Sequence, residues 1–142
     1  MEVIIDTSAI IGLVDKSCQH HDRISDIVKK TDISLIIPSP VIPEACYMLN
    51  KKFGPVIEIK FLEEIISVNL QIEILKFPDI LRITEILKKY KSLNIGFIDG
   101  SIVAIAERLK INQILTLDNK HFRSMVPVGF DYFEILPNII NT

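Results

Sequence analysis

The sequence predicts an α/β fold, a three-layer α/β/α sandwich around a mostly parallel central sheet. Three observations carry this. Short apolar runs rich in β-branched residues recur along the chain without the polar alternation of a half-exposed sheet, which reads as strands buried on both faces. Stretches with helical apolar spacing separate those runs. The most apolar of them, FIDGSIVAIAERLK, carries a stripe of Ile98, Ile102, Ile105 and Leu109, widened by Val103 and Ala106, as a deeply packed helix requires. Alternation of this kind builds a sheet with helices on both sides.

The elements follow in chain order. VIID (3–6) is a first strand that ends at Asp6, with a helix able to begin at Thr7. HHDRISDIVKK puts Ile24, Ile27 and Val28 on one stripe with charges opposite. ISLIIP (33–38) is a second strand, stopped by proline. Ser39 is placed to cap the next helix, whose first positions are Pro40 and Val41, and Gly54 to end it. Ile59, Leu62, Ile65 and Ile66 mark a further helix, a stripe read chiefly as core packing. LQIEIL (70–75) is a less regular strand. Leu81, Ile83, Ile86 and Leu87 mark a helix expected to end near Asn94 and Gly96. INQILTLD (111–118) is a strand ending in Asp118, and YFEILP (132–137) an edge strand. No repeat, linker or low-complexity tract divides the chain, so residues 1–142 are expected to form a single domain.

Composition narrows the function. Apolar residues make up 49% of the chain, yet no uninterrupted run approaches the ~18 to 20 residues of a membrane span. MEVIID carries an acid where a secretory signal needs a base. A cytoplasmic protein is the expectation. Cys18 and Cys46 lie outside any C-x-x-C pair, so ordinary thiols are expected rather than a zinc or redox site. The net charge of −2 excludes nucleic-acid binding by bulk charge. If nucleic acid is the substrate, basic residues must act locally, or a metal must offset the acids.

Four carboxylates stand out. In a parallel sheet, ligands bind beyond the carboxyl ends of the strands. Asp6 and Asp118 each end a strand. Asp99 falls in the first turn of the most apolar helix, and Glu44 is the only acid on the helix after the second strand. Each has a plain structural use. Asp6 and Asp118 can cap helices, Asp99 suits a helix dipole, and Glu44 can sit on the surface. Together at one sheet edge they would repel one another unless a cation lay among them, and oxygen-only ligation favours Mg²⁺ or Mn²⁺ over Zn²⁺. No second ligand stands at the right spacing from a histidine, so a histidine-based metal site is not expected. His20 and His21 are read as exposed.

VIIDTSAIIGLVD, PSPVIPEACYML, FIDGSIVAIAERLKI and ILTLDNKHF, in that order, resemble a PIN domain. Among PIN domains, the chain is similar to the VapC-like ribonuclease toxins of bacterial toxin–antitoxin pairs. The resemblance covers nearly the whole chain. It implies a PIN-like fold, metal-binding and catalytic acids at Asp6, Glu44, Asp99 and Asp118, and small polar support from Thr7, Ser8 and Ser101. It also implies RNA as substrate, hydrolysed with bound Mg²⁺ or Mn²⁺, a homodimer, and a small antitoxin that covers the groove. Many relatives carry a basic residue where this chain has Asn119. Lys120, His121 and Arg123 follow Asp118 directly and are expected to flank the RNA path, with Lys51 and Lys52 farther off. The rivals are weaker. A receiver domain wants a lysine, not Asp118, at the end of its late strand. A haloacid-dehalogenase-type phosphatase wants a second acid that DTS lacks. A PIN-like module without catalysis would not need all four acids.

Overall fold

A computed structural model describes residues 1–68 and 70–138; Asn69 and the last four residues of the expected 1–142 domain lie outside the described residues. Among the described residues, five strands form one wholly parallel sheet: β1 (Glu2–Ile5), β2 (Ser34–Pro38), β3 (Gln71–Glu73), β4 (Gln113–Leu115) and β5 (Glu134–Leu136), in the order β3-β2-β1-β4-β5. The connections hold α1 (Thr7–Val14), α2 (His21–Val28), α3 (Val41–Phe53), α4 (Pro55–Ser67), α5 (Phe77–Lys89), α6 (Phe97–Leu109) and α7 (Asn119–Ser124).

The strand order decides where a ligand can sit. From β1 the chain builds outward through β2 and β3, then returns to place β4 on the other side of β1. The carboxyl ends of β1 and β4 therefore flank the point where the direction of winding reverses, and a crevice opens there. Ile4 pairs with both Ile36 and Ile114, and all three are fully buried, so the centre of the sheet is continuous apolar packing. Helix α6 is buried without a break from Gly100 to Ala106, which accounts for its broad apolar face.

Several boundaries differ from expectation. The last three strands are three residues each, shorter than their apolar runs. Pro40, not Ser39, precedes α3. The N–H of Ser39 still donates to the Glu73 carbonyl at 2.8 Å, and its hydroxyl accepts the Leu75 N–H, so Ser39 extends the strand pairing instead of capping. Helix α5 stops at Lys89, and a 3-10 turn (Lys91–Leu93) leads to Asn94 in the left-handed region, φ 53°. The reading of α4 as mainly core is corrected: Ile65 is buried, but Ile59, Leu62 and Ile66 are exposed. The helix turns Ile57, Phe61 and Ile65 inward at four-residue spacing, and Ile59, Leu62 and Ile66, one or two positions along from these, point away from the core.

Candidate active site

Asp6 follows β1 directly. Its Oδ1 accepts the Thr7 N–H at 2.7 Å, so it does cap α1. Its Oδ2 accepts the Thr116 hydroxyl at 2.7 Å and the Ser8 hydroxyl at 3.3 Å. Capping alone would leave such a carboxylate at the surface, but Asp6 is 5% exposed. Burial pushes its pKa up from 3.8 to about 6; the bonds from Thr116 and Thr7 oppose that, and the charges of Asp99 and Glu44 add to it. Asp99, in the first turn of α6, is also raised, first by burial and then by the charge of Asp118, with His121 opposing.

Asp6, Glu44, Asp99 and Asp118 line a single cleft of about 360 Å³, together with Thr7, Ser8, Met48 and the Gly96–Ile98 turn. Four elements deliver the acids: the end of β1, the first turn of α3, the first turn of α6 and the residue capping α7. None is a neighbour of another in sequence. Packing that brings four carboxylates together raises the pKa of the most buried ones, and a cation is the group that would relieve this.

Sequence reasoning missed Thr116. Its hydroxyl is fully buried, donates to Asp6 Oδ2, lies 3.0 Å from Ser8 Oγ and accepts the Asp118 N–H at 3.0 Å. One hydroxyl thus links two of the acids. The only signal for it was a polar residue inside the apolar run INQILTLD. Ser8 also accepts the Leu117 N–H at 2.9 Å, which ties α1 to the loop after β4.

The other expected residues divide. Ser101 is fully buried, but its hydroxyl donates to the Phe97 carbonyl one turn back and so stays within α6. Lys120 is exposed on α7. Arg123 is exposed and lines a separate hollow with Tyr132, Phe133 and Glu134. His121 differs most from the sequence reading. Its Nδ1 lies 2.9 Å from Asp118 Oδ2 and 3.2 Å from Asp99 Oδ2. The expectation that no histidine has metal-capable partners is therefore corrected, because the fold supplies Asp99 from a different helix.

The donor set suits a small divalent ion. Carboxylate oxygens dominate it, as hard cations prefer. Thr7, which lines the cleft, has a buried hydroxyl without a hydrogen-bond partner. Such an orphaned oxygen fits a site that expects a further polar occupant.

The PIN domain family model matches residues 3–126. Ribonuclease VapC26 of Mycobacterium tuberculosis is 28% identical over 135 residues, covering 95% of this chain and 100% of that protein. Among solved structures, a sarcin–ricin-loop-cleaving toxin, VapC20 of M. tuberculosis, superposes with a TM-score of 0.76 at 16% identity, over 83% of this chain and 91% of its own. VapBC2 of Rickettsia felis, solved bound to a DNA fragment from its promoter, gives 0.70 at 17% identity, over 95% and 98%.

Proposed function

The chain belongs to the PIN domain family, and from that premise we propose that it is a metal-dependent endoribonuclease, the toxin of a type II toxin–antitoxin pair. The observation that carries this is the convergence of Asp6, Glu44, Asp99 and Asp118 on one cleft at the switch point of the sheet. A ribonuclease relative matched along its full length supports RNA as the substrate, and toxin–antitoxin complexes among the fold neighbours support a small antitoxin as partner. Exposed Ile59, Leu62 and Ile66 leave apolar surface for a protein partner, either that antitoxin or a second copy in a homodimer.

In this reading the four acids hold Mg²⁺ or Mn²⁺. Such an ion, when bound, lowers the pKa of a water and offsets charge developing on phosphate. The protein does the rest. The Thr116 hydroxyl orients Asp6 and, through its backbone contact, Asp118. Ser8 reinforces Asp6 and pins the loop that carries Asp118. One of the carboxylates accepts the proton of the attacking water as the water oxygen bonds to phosphorus; the leaving oxygen departs with the electron pair of the broken P–O bond and takes a proton from solvent. Lys120 and Arg123 take phosphates as the strand leaves the cleft. The whole chain, 1–142, acts as one nuclease domain.

The test is cleavage of end-labelled single-stranded RNA. Products should form with Mn²⁺ or Mg²⁺, vanish with chelator, and be lost in Asp99→Asn. Cleavage that survives both chelation and Asp99→Asn would refute the proposal.

A further inference from the structure

His121 belongs to the one place, among the described residues, where three metal-capable side chains converge. One ligand atom each from Asp99, Asp118 and His121 lies within 4.8 Å of the others. Two explanations compete. In the first, the ring simply hydrogen-bonds to the acids. Nδ1, however, carries at most one hydrogen and faces two carboxylate oxygens at 2.9 and 3.2 Å, so that hydrogen serves at best one of them well. In the second, the three atoms are neighbouring corners of a coordination shell. Ligands on adjacent corners of an octahedron with bonds of ~2.1 Å lie about 3.0 Å apart, and the two observed spacings bracket that value.

The backbone holds the ring in this place. Asp118 caps α7 by accepting the His121 N–H on Oδ1, which leaves Oδ2 toward the ring. Phe122, the next residue, is fully buried and packs edge-on against Phe133, which anchors α7 beside the ring. Independently of this cluster, the unpartnered hydroxyl of Thr7, a residue 3% exposed, lines the same cleft as Asp99 and Asp118.

We propose that His121 is a direct ligand of the divalent ion through Nδ1, completing a mixed nitrogen and oxygen set with Asp99 and Asp118. This rests on the metal-dependent reading above and assigns His121 to the metal rather than to RNA. It also sets the choice of ion. Imidazole suits first-row transition metals, whereas Mg²⁺ prefers oxygen and gives up water reluctantly. The site therefore favours Mn²⁺ over Mg²⁺ beyond what four carboxylates would do.

The experiment is pulsed electron paramagnetic resonance of the full chain loaded with one equivalent of Mn²⁺. Wild-type protein should show modulation from a directly bound ¹⁴N, and labelling with ¹⁵N-histidine should change its frequency. In His121→Asn that coupling should be absent. The Mn²⁺ dissociation constant of the variant should rise about tenfold or more, and that for Mg²⁺ by a smaller factor. The wild-type labelling arm does not depend on how the variant folds. Mn²⁺ bound without histidine coupling, or coupling that persists in His121→Asn, overturns the inference and leaves the proposed function standing. No Mn²⁺ binding at all overturns both.

Discussion

Replacing Asp6 with asparagine separates a helix cap from a metal ligand. Asparagine caps about as well as aspartate, so a carboxylate that only capped α1 could be exchanged without consequence. The structure gives a different expectation. Burial lifts the Asp6 carboxyl from 3.8 to about 6, and that interval corresponds to about 3 kcal/mol. The folded protein holds this proton where the unfolded chain has released it. The group's stabilising contribution is therefore complete below pH 3.8 and is lost as the pH rises through about 6. Asparagine imitates the protonated carboxyl. Its oxygen keeps the Thr7 N–H, and its amide donates to Thr116 Oγ1, whose own hydrogen can turn to Ser8 Oγ 3.0 Å away.

In chelator, Asp6→Asn should match wild type near pH 4 and exceed it at pH 8 by up to about 3 kcal/mol. Urea denaturation at the two pH values measures this. Adding Mn²⁺ at pH 8 should reverse the order, since only wild type binds it well; at a thousand times the dissociation constant the ion adds about 4.1 kcal/mol. A variant less stable than wild type by the same amount at both pH values, with or without Mn²⁺, would refute the reasoning and leave Asp6 as a cap.

Other outcomes follow from the same geometry. Asp99→Asn and Asp118→Asn should lower RNA cleavage by ~10²-fold or more without lowering the metal-free melting temperature, as paired gel and thermal assays would show. Lys120→Ala with Arg123→Ala should weaken RNA binding and flatten its salt dependence by about 0.7 per lost phosphate contact; an unchanged slope in a binding titration would move the RNA path elsewhere. Arg108→Ala should destabilise the fold by about 3 kcal/mol, because Arg108 binds Asp79, 3% exposed, and Glu73. Burial pushes the Asp79 carboxyl up, but the bonds from Arg108 and the Lys76 N–H outweigh it and hold it below the usual range. Its stabilising contribution is present above the unfolded pKa and lost as pH falls, so wild type should lose its advantage over Arg108→Ala in acid denaturation curves.

Much of this molecule was legible because its signals are local or periodic. The buried strands announced themselves as β-branched runs, and α6 as a helix with a broad apolar face. The acids were legible because charge is expensive among apolar residues, so each carboxylate near a strand end or in an apolar helix asked for a reason. Element ends were less legible. Ser39 carries the chemistry of a cap, yet its N–H is claimed by the Glu73 carbonyl of β3, and no pattern around Ser39 shows which strand will lie beside it. The isoleucines of α4 failed for a related reason. Apolar spacing gives the faces of a helix but not which face meets the core, and among the described residues of α4 Ile57, Phe61 and Ile65 do so.

Thr116 and His121 mark the deeper limit. A threonine inside a strand run is usually read as β-propensity, and a histidine beside a buried phenylalanine as a bystander. What gives each its role is a residue far along the chain: Asp6 is 110 positions from Thr116, and Asp99 is 22 positions from His121. Sequence spacing excludes a histidine ligand only if its partners must come from the same helix or loop. In a parallel sheet they need not, because strands distant in sequence end side by side at the switch point. The useful question for such a chain is therefore which residues the topology delivers to the carboxyl edge of β1 and β4. Asked that way, Thr116 and His121, one and six residues past the end of β4, are candidates from the start.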